Sequence, residues 1–446
     1  WGDVQKLGRE FRLMFDLVLN HCSAKSKWFS DYVANIAPYR NYFIEADPET
    51  DLSAVTRPRS LPLLTPFHTR HGDAHLWTTF SADQIDLDFS NPDVLFEFLD
   101  ILLHYISKGA TIIRLDAIAY LWKQIGTNCI HLEQTHEVVK IMRDLLEMVA
   151  PEVVILTETN VPHEENISYF GEGDEAHMVY QFSLPPLLLH GLINGNASYL
   201  SEWAASLGEI PANCTYFNFT ASHDGIGVRP LQGIVPDAEL EKLVAHVKKL
   251  EGHVSYKANS DGTESPYELN ITYFDALGDN PDTVSDLHIA RFLCAQTIAM
   301  ELRGVPALYF HSLTATRNYT EGVAETGRAR TINRKKWDEG ELNAVLADSR
   351  SPASRVMKEC LQRLQLRAQH AAFHPNADQQ VVNLGAEWFA VIRETRTERV
   401  VCISNVTDSY RELKVNERLY HLNRADSCSD ILTGNRYMGE GKVLSL

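Results

Sequence analysis

Basic residues are in short supply. The chain of 446 residues carries 41 Lys and Arg against 59 Asp and Glu, a formal net charge of −18. Such a surface repels polyanions, so neither nucleic acid nor an anionic membrane is an expected partner. Cysteine is sparse and unpatterned. The seven residues Cys22, Cys129, Cys214, Cys294, Cys360, Cys402 and Cys428 form no CxxC, and their number is odd. That excludes a disulfide framework and favours a reducing compartment, the cytoplasm. No apolar run approaches the ~18–20 residues of a membrane helix. SLPPLLLH (183–190) is too short, and its prolines are expected to break it. No signal-peptide pattern, internal repeat or low-complexity segment is found, no GxGxxG follows a strand, and His131, Glu133 and His136 lack a zinc spacing.

What the chain does have is acid at the ends of apolar runs. TIIRLD ends in Asp116, VVILTE in Glu158 and YFNFTASHD in Asp224, while LMFDLVLNH ends at His21. Burying one carboxylate costs several kcal/mol unless something compensates. Three of them suggest chemistry on a sugar, in which one attacks, one donates a proton and one steadies positive charge. Arg114 stands two residues before Asp116, and the period of a strand places both on one side. Asp16, within its strand, is expected to partner a backbone group or an arginine.

The middle of the chain alternates helix and strand. Asn91-Pro92 predicts a helix start, Val94, Leu95, Phe98, Leu102, Tyr105 and Ile106 recur at helical spacing, and Gly109 ends the run. Val138 to Val149 repeats the pattern, with Pro151 as the stop. Further helices are expected at 198–207, 237–250 and 286–302, with strands at 178–182 and 305–310. Parallel strands with helices outside follow, and functional residues at the carboxyl ends of strands are the rule of a (β/α)₈ barrel. Residues 22–90 break the alternation and read as an inserted subdomain. From about 373 the period becomes that of short antiparallel strands. The domains are therefore 1–21 with 91–372 as barrel, 22–90 as subdomain B, and 373–446 as C-terminal β-domain.

DLVLNH (16–21), IRLDAIAYLWK (113–123), LTETN (156–160) and ASHD (221–224) resemble, in order, the four signature segments of the α-amylase superfamily, glycoside hydrolase family 13. QIDLD (84–88) resembles the fifth. RPRSLP (57–62), FSLPPLLLH (182–190), HDGIGVRP (223–230) and RTINR (330–334) are similar to its sucrose-phosphorylase branch. Within it, ETNVPH (158–163), SPYELN (265–270) and LSAVTRPR (52–59) resemble the glucosylglycerate-active members.

The resemblance implies a retaining α-glucosyl phosphorylase, with inorganic phosphate as co-substrate and no cofactor. Glucosylglycerate is the favoured donor. Sucrose, sucrose 6-phosphate and glucosylglycerol are alternatives, as are hydrolysis and transglucosylation. Asp116 matches the nucleophile, Glu158 the general acid/base, and Asp224 the carboxylate that stabilises the transition state. Glu158 must begin protonated. His21, Arg114, His223 and Arg330 match glucose-binding residues, and Arg59 and Tyr267 match phosphate-binding ones. Glu268 replaces the Gln that sucrose phosphorylases carry after this Tyr, which argues against fructose as acceptor. Asn20 matches a calcium-binding Asn of many amylases, but the phosphorylase branch lacks that metal, and none is expected. The acceptor loops are expected near 256–270 and 311–330; the oligomeric state is left open. The barrel of this family has two strands ahead of residues 13–19, and only a few residues stand there. The expected fold thus lacks its N-terminal strands and has an open seam, and residues 1–446 alone are expected to be insoluble or inactive.

Overall fold

The computed structural model describes residues 1–59, 61–259, 263–414, 427–438 and 443–445. Ser60 of the RPRSLP motif, residues 260–262 of one expected acceptor loop, and residues 415–426, 439–442 and 446 of the expected β-domain lie outside the described residues. The chain forms two compact units. The first comprises Trp1–Tyr180, Ile210–Cys214 and Tyr256–Tyr267; the second comprises Gln181–Glu209, Thr215–Ser255 and Glu268–Leu446.

The first unit opens with a short helix (Gly2–Leu7), followed by β1 (Leu13–Val18) and β2 (His21–Ser23). LMFDLVLNH is thus not one strand. It breaks at Leu19-Asn20, where the Asn20 side chain is drawn into a buried polar cluster. The segment expected as subdomain B holds a helix (Lys27–Val33), a hairpin of β3 (Leu64–Thr69) and β4 (Gly72–Trp77), and β5 (Gln84–Asp86) paired to β2. Leu52, Val55, Leu63, Trp77 and Cys129 form a small core of their own.

Then come β6 (Ala110–Asp116), β7 (Val154–Thr157) and β8 (Met178–Tyr180). β1, β6, β7 and β8 lie side by side in that order, all parallel. The helices between them are where the periodicity puts them. Pro92–Ser107 begins at Asn91, whose side chain accepts from the Asp93 N–H, and Gly109 follows its end with φ +98°. Glu133–Val149 stops just before Pro151. The register sets Asp16 beside Arg114 and Val18 beside Asp116. On its other edge β1 has no strand neighbour among the described residues; Met14 and Val18, on the face of Asp16, are exposed.

In the second unit SLPPLLLH does not break. It opens a helix, Leu184–Asn194, in which Pro185 and Pro186 occupy the first turn. Those positions have no intrahelical acceptor for an N–H, so proline is tolerated there. The helix is buried on every side from Leu184 to Leu192 and anchors the main core. β9 (Thr215–Phe219) ends five residues short of Asp224. The backbone beyond it is held by side chains instead of a strand, as shown below. β10 (Ile226–Gly227) follows, then β11 (His253–Ala258) and β12 (Glu264–Asn270), each with residues in both units, and β13 (Val305–Ala307); β13 pairs parallel with β9 and β10 antiparallel with β12. The strand expected at 305–310 stops at Ala307 because Phe310 already begins a helix.

The other expected helices, Ser198–Ser206, Asp237–Lys249 and Asp286–Glu301, lie within a residue of expectation. The C-terminal region is an antiparallel meander of β14 (Asp378–Val381), β15 (Trp388–Glu394) and β16 (Arg399–Asn405). Among the described residues no helix is long and apolar enough to cross a membrane.

Candidate active site

At the end of β6 one guanidinium organises the first unit's polar residues. Arg114 Nη1 donates to Asp116 Oδ1 and to Asp16 Oδ1, both at 2.6 Å, and Nη2 lies 3.8 Å from Glu158 Oε1. Its Nε donates to the Tyr180 hydroxyl at 3.1 Å. Burial by itself would lower the Arg114 pKa. The fields of Glu158, Tyr180, Asp116 and Asp16 outweigh it and hold the pKa above the ordinary value. Tyr180 is pushed up to about 12, by burial first, so its hydroxyl stays neutral.

Glu158, the residue after β7, is fixed from the backbone. Its Oε2 accepts the Ala117 N–H at 3.0 Å. Ala117 sits at φ +48°, a left-handed conformation that costs a residue with a Cβ roughly 1–2 kcal/mol. The nucleophile candidate and the acid/base candidate are thus linked twice, through Arg114 and through the turn after Asp116.

His21 is buried at the start of β2. Gln84 Nε2 lies 2.7 Å from its Nε2, Asn20 Nδ2 lies 3.4 Å from its Nδ1, and its ring is 5.4 Å from Phe80. Burial lowers the His21 pKa, against the raising fields of Asp86 and Asp116. Behind it, Lys123 Nζ reaches Asn20 Oδ1 at 2.5 Å and Asp86 Oδ2 at 2.6 Å, and all three side chains are buried. An ammonium thus takes the oxygens that a cation would need. Arg59 and Tyr267 also belong to this unit and meet each other, the guanidinium 5.4 Å from the ring centre, within cation–π range.

The second unit gathers the other expected residues. Asp224 Oδ1 receives Arg330 Nη1 at 2.7 Å and Arg334 Nη2 at 3.0 Å, with His223 Nε2 at 3.8 Å. The backbone around Asp224 is held by side chains of 333–334. Asn333 Nδ2 donates to the carbonyls of Ser222 and Asp224 at 2.6 and 2.8 Å, and Arg334 Nε donates to that of His223 at 2.8 Å. These side-chain contacts hold the chain between the end of β9 and Asp224. A shallow cleft adjoins Asp224, walled by Phe182, Phe219, Ile226, Ile271 and Tyr273.

Comparison with known proteins decides the family. The family model "Alpha amylase, catalytic domain" matches residues 4–211. The glucosylglycerate phosphorylase of Spirochaeta thermophila is 48% identical over 420 residues, covering 92% of this chain and 70% of its own length. That of Escherichia coli is 50% identical over 378 residues, covering 84% and 67%. The chain belongs to the α-amylase superfamily, glycoside hydrolase family 13, in its sucrose-phosphorylase branch. It is accordingly an enzyme that transfers glucosyl groups. The fold agrees. The crystal structure of sucrose 6F-phosphate phosphorylase from Thermoanaerobacter thermosaccharolyticum superposes with a TM-score of 0.78 at 24% identity, over 91% of this chain and 82% of that one. The fold is therefore the family's (β/α)₈ barrel followed by antiparallel strands.

Within this α-amylase-family chain, the structure brings Arg114, Asp116 and Glu158 together, Arg59 with Tyr267, and His223, Asp224 and Arg330 together. Sequence reading missed Tyr180, Lys123, Arg334 and Asn333. Tyr180 carried a signal, as an aromatic at the end of a parallel strand. Arg334 and Asn333 lie within RTINR, a motif noted only for its first arginine.

Proposed function

We propose that the protein is a retaining α-glucosyl phosphorylase that acts on glucosylglycerate. Asp116 attacks the anomeric carbon and forms a glucosyl ester, while Glu158 protonates the departing oxygen. Asp224 stabilises the oxocarbenium-like transition state. Phosphate then attacks the ester, Glu158 acts in its basic form, and α-glucose 1-phosphate leaves with configuration retained. His21, Arg114, His223 and Arg330 hold the glucosyl unit; Arg59 and Tyr267 receive phosphate.

The observation that carries this reading is the sharing of one guanidinium by Asp116 and Glu158. A double displacement needs two carboxyl groups close together, one charged and one able to carry a proton. Arg114 balances charge at Asp116 at 2.6 Å and stands further from Glu158, at 3.8 Å. Phosphate suits a guanidinium fork better than an ammonium, and Arg59 is already oriented by Tyr267. The donor choice is supported by two relatives that are 48% and 50% identical to this chain over the aligned residues and are named for glucosylglycerate.

The test is made on the protein as its host makes it. α-Glucose 1-phosphate is offered with D-glycerate, fructose, fructose 6-phosphate or glycerol, and phosphate release is read. D-glycerate is expected to be the preferred acceptor by kcat/KM. Preference for another names that phosphorylase instead. Glucose release that needs no phosphate overturns the phosphorylase reading in favour of hydrolysis.

A further inference from the structure

Glu268 lies in the second unit, on β12, opposite Gly227 of β10. Its sequence position beside Tyr267 reads as an acceptor contact. Its structure does not, because the residue is 1% exposed. Its carboxylate is instead spent on one arginine and one backbone amide. Oε1 accepts from Arg330 Nε at 2.8 Å, Oε2 accepts from Arg330 Nη2 in a short ion pair, and Oε1 also accepts the Gly225 N–H at 3.2 Å. The remaining Arg330 nitrogen, Nη1, is the one that reaches Asp224 Oδ1 at 2.7 Å.

Arg330 is therefore a bridge with a buried foot on Glu268 and a tip on Asp224. Gly225, the next residue after Asp224, fits against the same carboxylate. A Cβ there would stand 2.6 Å from the Leu269 carbonyl and 2.7 Å from Glu268 Cγ. The Asp224 loop is thus gripped by Glu268 at two places, the Gly225 amide and the guanidinium. A bidentate fork fixes the plane of a guanidinium, which one point contact does not.

We propose that Glu268 is a positioning residue for glucosyl transfer, acting through Arg330 and Gly225 to set the orientation of Asp224. The inference rests on the reading of Asp224 as the transition-state carboxylate. Position 268 selects no acceptor by direct contact. A glutamine there keeps the volume and the acceptor for Gly225 and Arg330 Nε, but turns an NH₂ towards the Nη2 donor. An aspartate keeps the charge but withdraws it by one methylene. Either change loosens the fork.

The test uses α-glucosyl fluoride as donor. Fluoride needs little protonation to leave, so its release reads ester formation without a sugar acceptor, and saturating phosphate takes the glucosyl unit off Asp116 for the next turnover. Glu268→Gln and Glu268→Asp are each expected to lower kcat about 10-fold, with KM changed less than about 3-fold, as a misoriented group predicts. Arg330→Lys places one ammonium where the fork was, so Glu268 keeps its hold on the Gly225 amide, which a glutamine oxygen retains, but has no fork to orient. In that background Glu268→Gln is expected to change the rate less than about 2-fold. Loss of packing alone would lower the rate by the same factor in both backgrounds. Equal factors, or a folded Glu268→Gln enzyme with the wild-type rate, overturn the proposal. If Glu268→Gln fails to melt cooperatively, Glu268→Asp carries the same cycle. A wild type that releases fluoride yet makes no glucose 1-phosphate sinks the phosphorylase reading and leaves this one standing or falling on the cycle.

Discussion

Arg114 Nη1 lies 2.6 Å from Asp116 Oδ1, and the same nitrogen lies 2.6 Å from Asp16 Oδ1. Two carboxylates therefore share the two N–H bonds of one guanidinium nitrogen, and strand register separates their roles. Asp16 faces Arg114 across the β1–β6 ladder, whereas Asp116 is the last residue of β6. Functional groups of parallel barrels stand at that end. Asp116→Asn is expected to reduce fluoride release from α-glucosyl fluoride by at least ~10³-fold, because no carboxylate remains to form the ester. Asp16→Asn removes charge but no nucleophile, and its loss is expected to stay within about 10-fold. Steady-state rates of the two variants decide; the reverse ranking would make Asp16 the attacking group.

Glu158 is anchored by the Ala117 amide at 3.0 Å, so Glu158→Gln should keep its place and lose only its proton chemistry. The expected result is a split by leaving group. Glucosylglycerate cleavage should fall by ~10²–10⁴-fold, the usual worth of a general acid. The ester-forming step with glucosyl fluoride should fall much less. Pre-steady-state fluoride release measures it, and equal losses with both donors would show that Glu158 is not the acid.

Lys123, Asp86 and Asn20 make a buried polar knot under His21. Asp86 also accepts the Thr79 N–H at 3.0 Å and the Thr79 hydroxyl at 2.5 Å. Burial lowers the Lys123 pKa, and the field and hydrogen bond of Asp86 work against it. Lys123→Met leaves the Asp86 carboxylate buried beside a neutral chain, and breaking a buried pair costs about 3–5 kcal/mol. Urea unfolding should show that loss. Chelator should leave the wild-type melting temperature unmoved, since the ammonium fills the place of a cation; a drop on adding EDTA would contradict this.

How far the sequence could be read depended on the range of the interaction. Asn91, Pro92 and Gly109 act within one turn, so that helix was legible to the residue. The apolar runs ending in Asp116 and Glu158 became strands at those places because parallel barrel strands are buried on both faces. The run to Asp224 was read as too long. The chain beyond its end is held by Asn333 and Arg334, more than a hundred positions away, and no local pattern announces that. The prolines of SLPPLLLH were read as breakers because their place in the helix, first turn or middle, depends on where the chain before them turns. Arg114 was legible from its spacing to Asp116. Glu268 was legible only as a departure from a motif, and its fork to Arg330 joins residues 62 positions apart.

Glu301, at the end of the helix Asp286–Glu301, gives stability a pH dependence. Its Oε2 is buried with no hydrogen-bond partner among the described residues. Burial pushes its pKa up to about 8, against the lowering field of Arg363. In the unfolded chain the ordinary value is about 4.3. The folded state therefore holds the proton more tightly. The stability this contributes is complete below the unfolded pKa and is lost as pH rises through 8, in total on the order of a few kcal/mol. His177, pushed down to about 4 by burial and Arg143, acts in the other window and removes stability as pH falls below the ordinary histidine value. Glu301→Gln cannot ionise, so its urea midpoint should decline less than wild type between pH 6 and pH 9. It should also lie above wild type at pH 9. Parallel curves for the two proteins would mean that Glu301 is ionised throughout and finds its compensation elsewhere.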